Sequence, residues 1–456
     1  MILENLERFI EYDPAGFTLR EAIIEAKRCL HCAKPHCRMG CPIENEIPDF
    51  IEAMAHGNLG TASTIIAKRS NLPAVCGRVC PHEKQCEGSC ILNKQNKGIK
   101  VGKIERFIAD MDGELVLTPA VIKEKKSGQI AVIGSGPAGL TVAGDLAKMG
   151  FSVTVFDAQQ EAGGVLMYGI PEFRLPKQVV RREVKKIENL GVKFRLNTMI
   201  GPNLTLDNLF EQGFDAIFIG TGNALAKSLP LPGTKLPGVV QATYFLQMVE
   251  LANQGSIDPI EVPIHNGDNV VIIGAGNTAI DAARTAVRRE AASVTIINRD
   301  RESHIAALAS EVAMAREEGV KFLSLRSPVE LIGEYFVTGV LCRVIDDPGE
   351  TKELVPTDKT TILPANKVII AIGQRPASRI IGSTKGIEVD KAGYVKTRDI
   401  PYGMSMRSGV FSGGDVVNGP ATVVKAMKDA KLVAKGIAQY VEAKKLMEKC
   451  GLKMTD

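Results

Sequence analysis

The chain has 456 residues, 45% of them hydrophobic and 24% charged, which gives room for two to four folded domains. A formal net charge of +4 is too small to argue for nucleic acid or an acidic membrane surface. No apolar run reaches the ~18 residues of a membrane-spanning helix, and Met1 to Arg8 lacks the basic and apolar regions of a signal peptide, so a cytoplasmic protein is expected.

Residues 1 to about 125 read as helical. Thr18 can cap a helix running toward Cys29. Pro48 can open a second, Asp49 to His56, and a third candidate runs from Leu59 to Arg69. A further helix is expected from Ile99 to Asp110.

Of ten cysteines, eight fall between residues 29 and 90. In a reducing compartment such a cluster reads as a metal site before a disulfide framework. The first run is Cys29, Cys32, Cys37 and Cys41-Pro42, and the second is Cys76, Cys80-Pro81, Cys86 and Cys90. Short loops between thiolates let several sulfurs face one inorganic core, and a Cys-Pro ending is an iron–sulfur pattern. Two [4Fe–4S] clusters need about eight ligands. Structural zinc is the alternative, but only Cys29 and Cys32 have its usual C-x2-C spacing. His31, His36 and His82 lie among the cysteines and are read as solvated.

A charged linker, Lys123 to Gly128, marks the first domain boundary. After it, Ile130 to Leu140 reads as strand, glycine turn and helix start. Gly134, Gly136 and Gly139 have the G-x-G-x-x-G spacing of a dinucleotide loop, with Ser135, Pro137 and Ala138 between them. The helix start offers free N–H groups to a pyrophosphate. The next strand, Phe151 to Phe156, ends at Asp157, placed to accept from a ribose hydroxyl. Gly164 belongs to a flexible loop leading to Tyr168-Gly-Ile-Pro171 and suited to closing over a planar ligand. Phe214 to Gly222 is another buried strand with a glycine turn, and Pro230 to Pro237 marks a second boundary.

Val270 to Asp281 repeats the opening motif through Gly274, Ala275, Gly276, Asn277, Thr278 and Ala279. Two loops about 140 residues apart imply a nicotinamide domain inserted into a flavin domain. The strand Val294 to Ile297 leads into Arg299, a residue suited to the 2′-phosphate of NADP; a solvated turn is the other reading. Lys367 to Gly373 reads as the strand returning to the flavin domain. Gly409 to Asp415 ends in Gly414-Asp415, where a carboxylate can hold a ribityl chain, and with the first loop it points to bound FAD. Thr422 and Val423 open a helix toward that cofactor, and Lys435 to Lys449 reads as a basic amphipathic helix with a solvated charged face.

The expected architecture is therefore α/β: an N-terminal α-helical iron–sulfur domain followed by two Rossmann-like dinucleotide-binding domains, the NAD(P) domain inserted in the FAD domain. The limits are 1–128 for the helical domain, 129–236 with 366–456 for FAD, and 237–365 for NAD(P)H.

Cys41-Pro42, Cys76-Gly-Arg-Val-Cys-Pro81, Cys86 to Cys90, the loop at Gly134, Tyr168 to Pro176 and Gly274 to Asp281 occur in this order in one family. The chain resembles the small (beta) subunit of NADPH-dependent glutamate synthase. It is also similar to the large subunit of the electron-bifurcating ferredoxin:NADP oxidoreductases and to the N-terminal part of dihydropyrimidine dehydrogenase. The resemblance implies electrons passing from NADPH through FAD and two [4Fe–4S] clusters, with no catalytic side chain beyond the cofactors. It makes Arg174 an FAD contact, Arg299 a 2′-phosphate contact and Gly373 part of the NAD(P) site. It assigns Cys29, Cys32, Cys37 and Cys90 to one cluster. Cys41, Cys80 and Cys86 hold the other, with Glu105 on the following helix as fourth ligand and Cys76 left as a small buried residue.

Two residues depart from the family pattern. Asp300 stands where a second basic residue is common, so NADH is possible beside NADPH. Glu290 stands where glycine is usual, at a left-handed position. The expected partner is a glutamate synthase large subunit or a ferredoxin-reductase-like flavoprotein subunit, in a hetero-oligomer. Met1 is followed by Ile2, and no barrel's length is left over, so glutamate formation is expected to require that partner. An iron–sulfur scaffold with non-functional nucleotide loops is the non-enzyme alternative.

Overall fold

The computed structural model describes residues 16–115, 117, 124–349, 352–377, 382 and 384–452. The N-terminal stretch Met1 to Arg8 and Lys123 of the charged linker lie outside the described residues. Contacts divide the chain into two compact units.

The larger unit begins with the helices. Thr18 caps α1, Leu19–Ala26, accepting from the Glu21 N–H while the Glu21 carboxylate accepts from Thr18 N. Pro48 sits in the first turn of α2, Ile47–Ala55, and Asn58 caps α3, Leu59–Ala67. Ala22, Phe50, Met54, Ile66, Ile104 and Ile108 form the core of this part, and Cys29, Cys37, Cys41 and Cys90 pack against it. Burying each large side chain contributes roughly 1.5–3 kcal/mol. Helix α4, Pro73–Val79, crosses α5, Val101–Leu115, so closely that a Cβ on Gly77 would lie 2.7 Å from the Arg106 backbone. Only glycine permits that crossing.

The first parallel sheet, expected to bind the flavin, begins with β1, Gln129–Ile133, buried except at its first residue. Helix α6, Pro137–Lys148, follows its glycine turn. Strand β2, Ser152–Phe156, pairs parallel to β1. Helix α7, Lys177–Glu188, leads to β3, Lys193–Arg195, and β4, Ala216–Ile219, returns to the other side of β1.

The smaller unit is inserted here. It holds β5, Val239–Gln241, helix α8, Ala242–Asn253, and β6, Asn269–Ile273. Helix α9, Asn277–Arg288, follows, then β7, Ser293–Ile297, helix α10, Ala309–Glu317, and β8, Lys321–Leu323. An antiparallel trio, β9 Arg326–Gly333, β10 Val337–Asp346 and β11 Val355–Pro364, precedes β12, Lys367–Ile370. The parallel order is β5-β12-β6-β7-β8. Strand β12 was expected to return the chain to the flavin domain. It pairs instead between β5 and β6, so the return falls after Gln374 rather than at residue 366.

Strand β13, Val410–Ser412, completes the flavin sheet in the order β13-β4-β1-β2-β3. Helix α11 then runs unbroken from Val423 to Lys449. The stretch from Lys435 is two-faced, as an amphipathic helix is: Ile437, Ala438 and Val441 are buried while Lys435 and Glu442 are exposed.

The iron–sulfur helices do not form a unit of their own. Asn71 donates to Asp145 on α6 (2.7 Å), and Lys186 on α7 pairs with Asp112 on α5 (2.6 Å). Helices and flavin sheet make one body. Among the described residues, no helix is long and apolar enough to cross a membrane.

Candidate cofactor sites

Gly134 has φ 94°, and a Cβ there would come within 2.7 Å of the Gly220 carbonyl oxygen. Gly139 lies against the loop itself, its Cβ position 1.9 Å from the Gly134 carbonyl oxygen. Gly136 faces open space, the cradle that a pyrophosphate needs. Pro137 is the first residue of α6, and Ala138 follows it, buried. Gly414, at φ 73°, comes against Ala138, and Gly164, at φ 55°, comes against Gly136. These close approaches bring the glycine loop, the Gly164 loop and Gly414-Asp415 to one place.

Asp157 anchors the loop. One carboxylate oxygen accepts from Ser135 N (2.7 Å) and Ser135 Oγ (2.6 Å), and the other accepts from Gln159 N (2.9 Å). Burial pushes the Asp415 carboxyl up to about 6, although the Ala421 N–H donates to it. Arg174 is half-buried between buried Phe173 and Leu175.

Thr422 occupies the N-cap of α11 without making a cap hydrogen bond, and its buried Oγ has no partner among the described residues. The amide of Asn223 and the hydroxyl of Thr221, just beyond β4, are likewise buried and unpartnered. Orphaned polar groups of this kind cost stability unless a ligand satisfies them, and they fit a polar cofactor beside Val423 and the glycine loop. Sequence reading noted the glycine turn after β4 without naming Thr221 or Asn223. The signal was polar residues alternating with glycine at a strand's C-terminal end.

In the second unit Gly274 has φ 114°, and a Cβ there would meet the Ala371 carbonyl oxygen at 2.5 Å. Gly276 again faces open space. The Ala275 carbonyl accepts from Ala307 N, the Asn277 side chain accepts from Leu308 N (3.1 Å), and Thr278 is half-buried in the first turn of α9. Gly373, at φ 104°, lies at the ends of these parallel strands and accepts from Lys227 N.

The residues after β7 divide by burial. Arg299 is 78% exposed, and its Nε lies 3.9 Å from the Asp300 carboxylate. Arg301 is buried, fixed by Asp347 and by the carbonyls of Gly349 and Lys352. Of the two arginines, Arg299 is the one available to a ligand. Glu290 does adopt a left-handed conformation, φ 62°, and its carboxylate accepts from Asn266 Nδ2 (2.8 Å).

Cys29, Cys32, Cys37 and Cys90 line one cavity, walled by the apolar groups of Pro48, Ile51 and Val101. Burial raises the Cys29 and Cys37 thiols, Cys37 to about 11. Such thiols become thiolates only against a cationic core.

The second set forms around the start of α5. Cys41, Cys80 and Cys86 each feel the Glu105 carboxylate, and burial raises the thiols of Cys41 and Cys86. The Cys80 thiol is raised first by its hydrogen bond with Cys76, then by burial. Glu105 is buried, makes no hydrogen bond or ion pair among the described residues, and is pushed up to about 8 by burial and by Glu183. A carboxylate buried that way calls for a cation. Among the described residues no three His, Cys, Asp or Glu gather as a single metal ion requires, whereas a multi-iron core spaces its ligands more widely. Cys76 also reaches this set but is buried against Met427.

His31 and His36 are exposed. His82 is not the solvated loop residue that the sequence suggested: its ring lies against Gly102, its Nε2 is buried without a partner, and burial holds it neutral, near 4. Glu183, buried on α7 and pushed up to about 7 by burial, was also missed, because its neighbour Glu105 is distant in sequence.

Two family models cover most of the chain. Dihydropyrimidine dehydrogenase domain II, 4Fe-4S cluster, matches residues 6–115, and Pyridine nucleotide-disulphide oxidoreductase matches residues 128–430. The protein is thus a flavin and iron–sulfur oxidoreductase of the NADPH-dependent kind. It is 37% identical over 445 residues to the glutamate synthase [NADPH] small chain of Halomonas elongata, covering 94% of this chain and 93% of that relative. Identity to the Escherichia coli small chain is 35%, covering 95% and 94%. The chain belongs to the glutamate synthase small-chain family. The NADP(+)-dependent formate dehydrogenase subunit beta of Moorella thermoacetica is 33% identical, over 89% of this chain and 60% of that one. Mycobacterium tuberculosis FprA in complex with NADPH shares the fold at TM-score 0.58 and 20% identity, over 73% of this chain and 88% of that chain.

Proposed function

We propose that the chain is the electron-input subunit of a cytoplasmic hetero-oligomer, most simply a glutamate synthase. The observation that carries this reading is the shared body: both thiol sets and the Gly134–Gly414 cradle belong to one compact unit. Bound there, FAD would accept a hydride from NADPH and [4Fe–4S] clusters would carry its electrons onward one at a time.

The chain's own groups have separate tasks. Gly134, Gly136 and Gly139 shape the pyrophosphate cradle, Asp157 and Ser135 brace it, and Asp415 and Thr422 face the middle of the flavin. Gly274, Gly276 and Thr278 cradle the nicotinamide dinucleotide, with Arg299 at its 2′-phosphate. Cys29, Cys32, Cys37 and Cys90 hold the first cluster; Cys41, Cys80, Cys86 and Glu105 hold the second. In this reading the helices and the FAD-binding part work as one body, and the stretch Leu225–Gln374 carries the NAD(P)H-binding domain. The partner is a glutamate synthase large subunit, and a ferredoxin-reductase-like flavoprotein subunit is the competing choice.

Protein purified without oxygen should carry one FAD and about eight irons and should bleach on adding NADPH. A yellow, iron-loaded protein unmoved by NADPH or NADH would sink the reading. Co-purification with the native partner separates the two partner choices.

A further inference from the structure

Gln241 is the last residue of strand β5 and the residue from which helix α8 starts. A side-chain oxygen at that position normally accepts from the N–H groups of the first helical turn. Gln241 makes no such bond. Its Oε1 is buried and has no partner among the described residues. A buried acceptor left alone costs stability unless a ligand donates to it.

The sheet says which part of a ligand lies there. Ile370 of β12 is in register with Gln241 on one side and with Ile273, the residue before Gly274, on the other. All three end their strands at the same edge of the parallel sheet, where Gly373 also lies. From β6 the strands β7 and β8 lie to one side, and β12 and β5 to the other. A dinucleotide lies across such a divide, outside the carboxyl ends of the strands. With its pyrophosphate at Gly274 and Gly276 and its 2′-phosphate at Arg299, after β7, its nicotinamide half falls over β12 and β5. Gln241 stands two strands from the pyrophosphate cradle, about 10 Å at the usual strand spacing, a span that a ribose and a pyridine ring cover.

A second observation marks the same side. Lys227 is exposed and makes no ion pair among the described residues. Its Nζ lies 3.8 Å from the position that a Cβ on Gly373 would take. An unpaired cation at the end of β12 suits the phosphate next to the nicotinamide ribose.

The nicotinamide ring carries one group that can donate to a lone oxygen, the NH2 of its carboxamide. We propose that Gln241 accepts this hydrogen bond and so orients the nicotinamide ring of the bound dinucleotide. This rests on the reading of the chain as an NADPH-dependent oxidoreductase and deepens it. The carboxamide is common to NADPH and NADH, so Gln241 holds both equally and leaves the choice between them to Arg299 and Asp300.

The test uses the chain loaded with FAD and iron, and reads binding by calorimetry rather than turnover. The probes are NADP+, NAD+ and the acetylpyridine analogue of NADP+, in which a methyl ketone replaces the carboxamide and removes its donor. One hydrogen bond corresponds to roughly two- to tenfold in affinity. The wild type should bind NADP+ more tightly than the analogue by that factor. Gln241→Met, nearly the same shape without the acceptor, should weaken NADP+ and NAD+ by the same factor. It should leave the analogue unchanged, so that the preference for a carboxamide disappears. Unchanged NADP+ affinity in a Gln241→Met chain that keeps its flavin and irons overturns the proposal. So does a wild type that does not distinguish NADP+ from the analogue. An equal loss for NADP+ and the analogue also overturns it, since that pattern belongs to a ribose contact or a packing defect. A wild type that binds neither NADP+ nor NAD+ fells the oxidoreductase reading itself, and this inference with it.

Discussion

Cys76 Sγ on helix α4 lies 3.6 Å from Met427 Sδ on helix α11. This sulfur pair joins the iron–sulfur helices to the last helix of the flavin domain. A thiol buried to 2% exposure against a thioether is packed as a small apolar residue.

A direct comparison follows for the second cluster. Cys76→Ser should keep about eight irons and lose about 1–2 kcal/mol of stability, because a hydroxyl is buried where sulfur packed. Glu105→Ala should perturb or lose one cluster by iron content and EPR, and Glu105→Gln should restore part of the signal. The assignment is wrong if Cys76→Ser loses a cluster while Glu105→Ala leaves both spectra unchanged.

Nucleotide preference turns on Arg299 and Asp300. The Asp300 carboxylate near Arg299 neutralises part of the charge offered to a 2′-phosphate. Asp300→Arg should raise the NADPH/NADH ratio of kcat/KM by roughly two- to fivefold, the order of an exposed charge effect. A ratio that stays level or falls would place Asp300 away from the 2′ position.

Thr422 carries a buried hydroxyl with no partner among the described residues. Thr422→Val should leave the cofactor-free chain as stable or more so, since an unsatisfied group is removed. The same change should weaken FAD retention several-fold, read from the FAD-to-protein ratio after dialysis. Equal retention would show that the hydroxyl does not meet the cofactor.

Glu290 sets a left-handed backbone against a hydrogen bond to Asn266. Glu290→Ala keeps the strain and loses the bond; Glu290→Gly loses both. The glycine variant should therefore be the more stable of the two by about 1 kcal/mol, visible as the order of their melting temperatures. The reverse order would mean that the left-handed turn is not formed in solution.

Much of this was legible in the chain, and the remainder failed for identifiable reasons. The glycine loops could be read because their spacing encodes a local backbone shape, later seen at Gly134 and Gly274. Thr18 and Pro48 marked helix starts for the same reason. Strand β12 was given to the wrong sheet because Lys367–Ile370 is a buried parallel strand, and such strands read alike wherever they pair. Helix α11 was read in two pieces because no cap or breaker marks its middle, and its buried face mixes small residues with Val433, Ile437 and Val441. Glu183 and His82 gain their character chiefly from burial, which has no local sequence signal.

The joining of iron–sulfur helices and flavin sheet into one body bears on how such subunits can be reused. Tunnelling rates fall steeply with distance, so a hinge between two redox centres would make their exchange depend on posture. Asn71, Asp112 and Cys76, each held to a flavin-domain residue, leave no such hinge. The internal wiring is then the same whatever the chain is attached to. A lineage could exchange one terminal acceptor for another by altering only the protein's outer surface, without retuning the passage from flavin to iron.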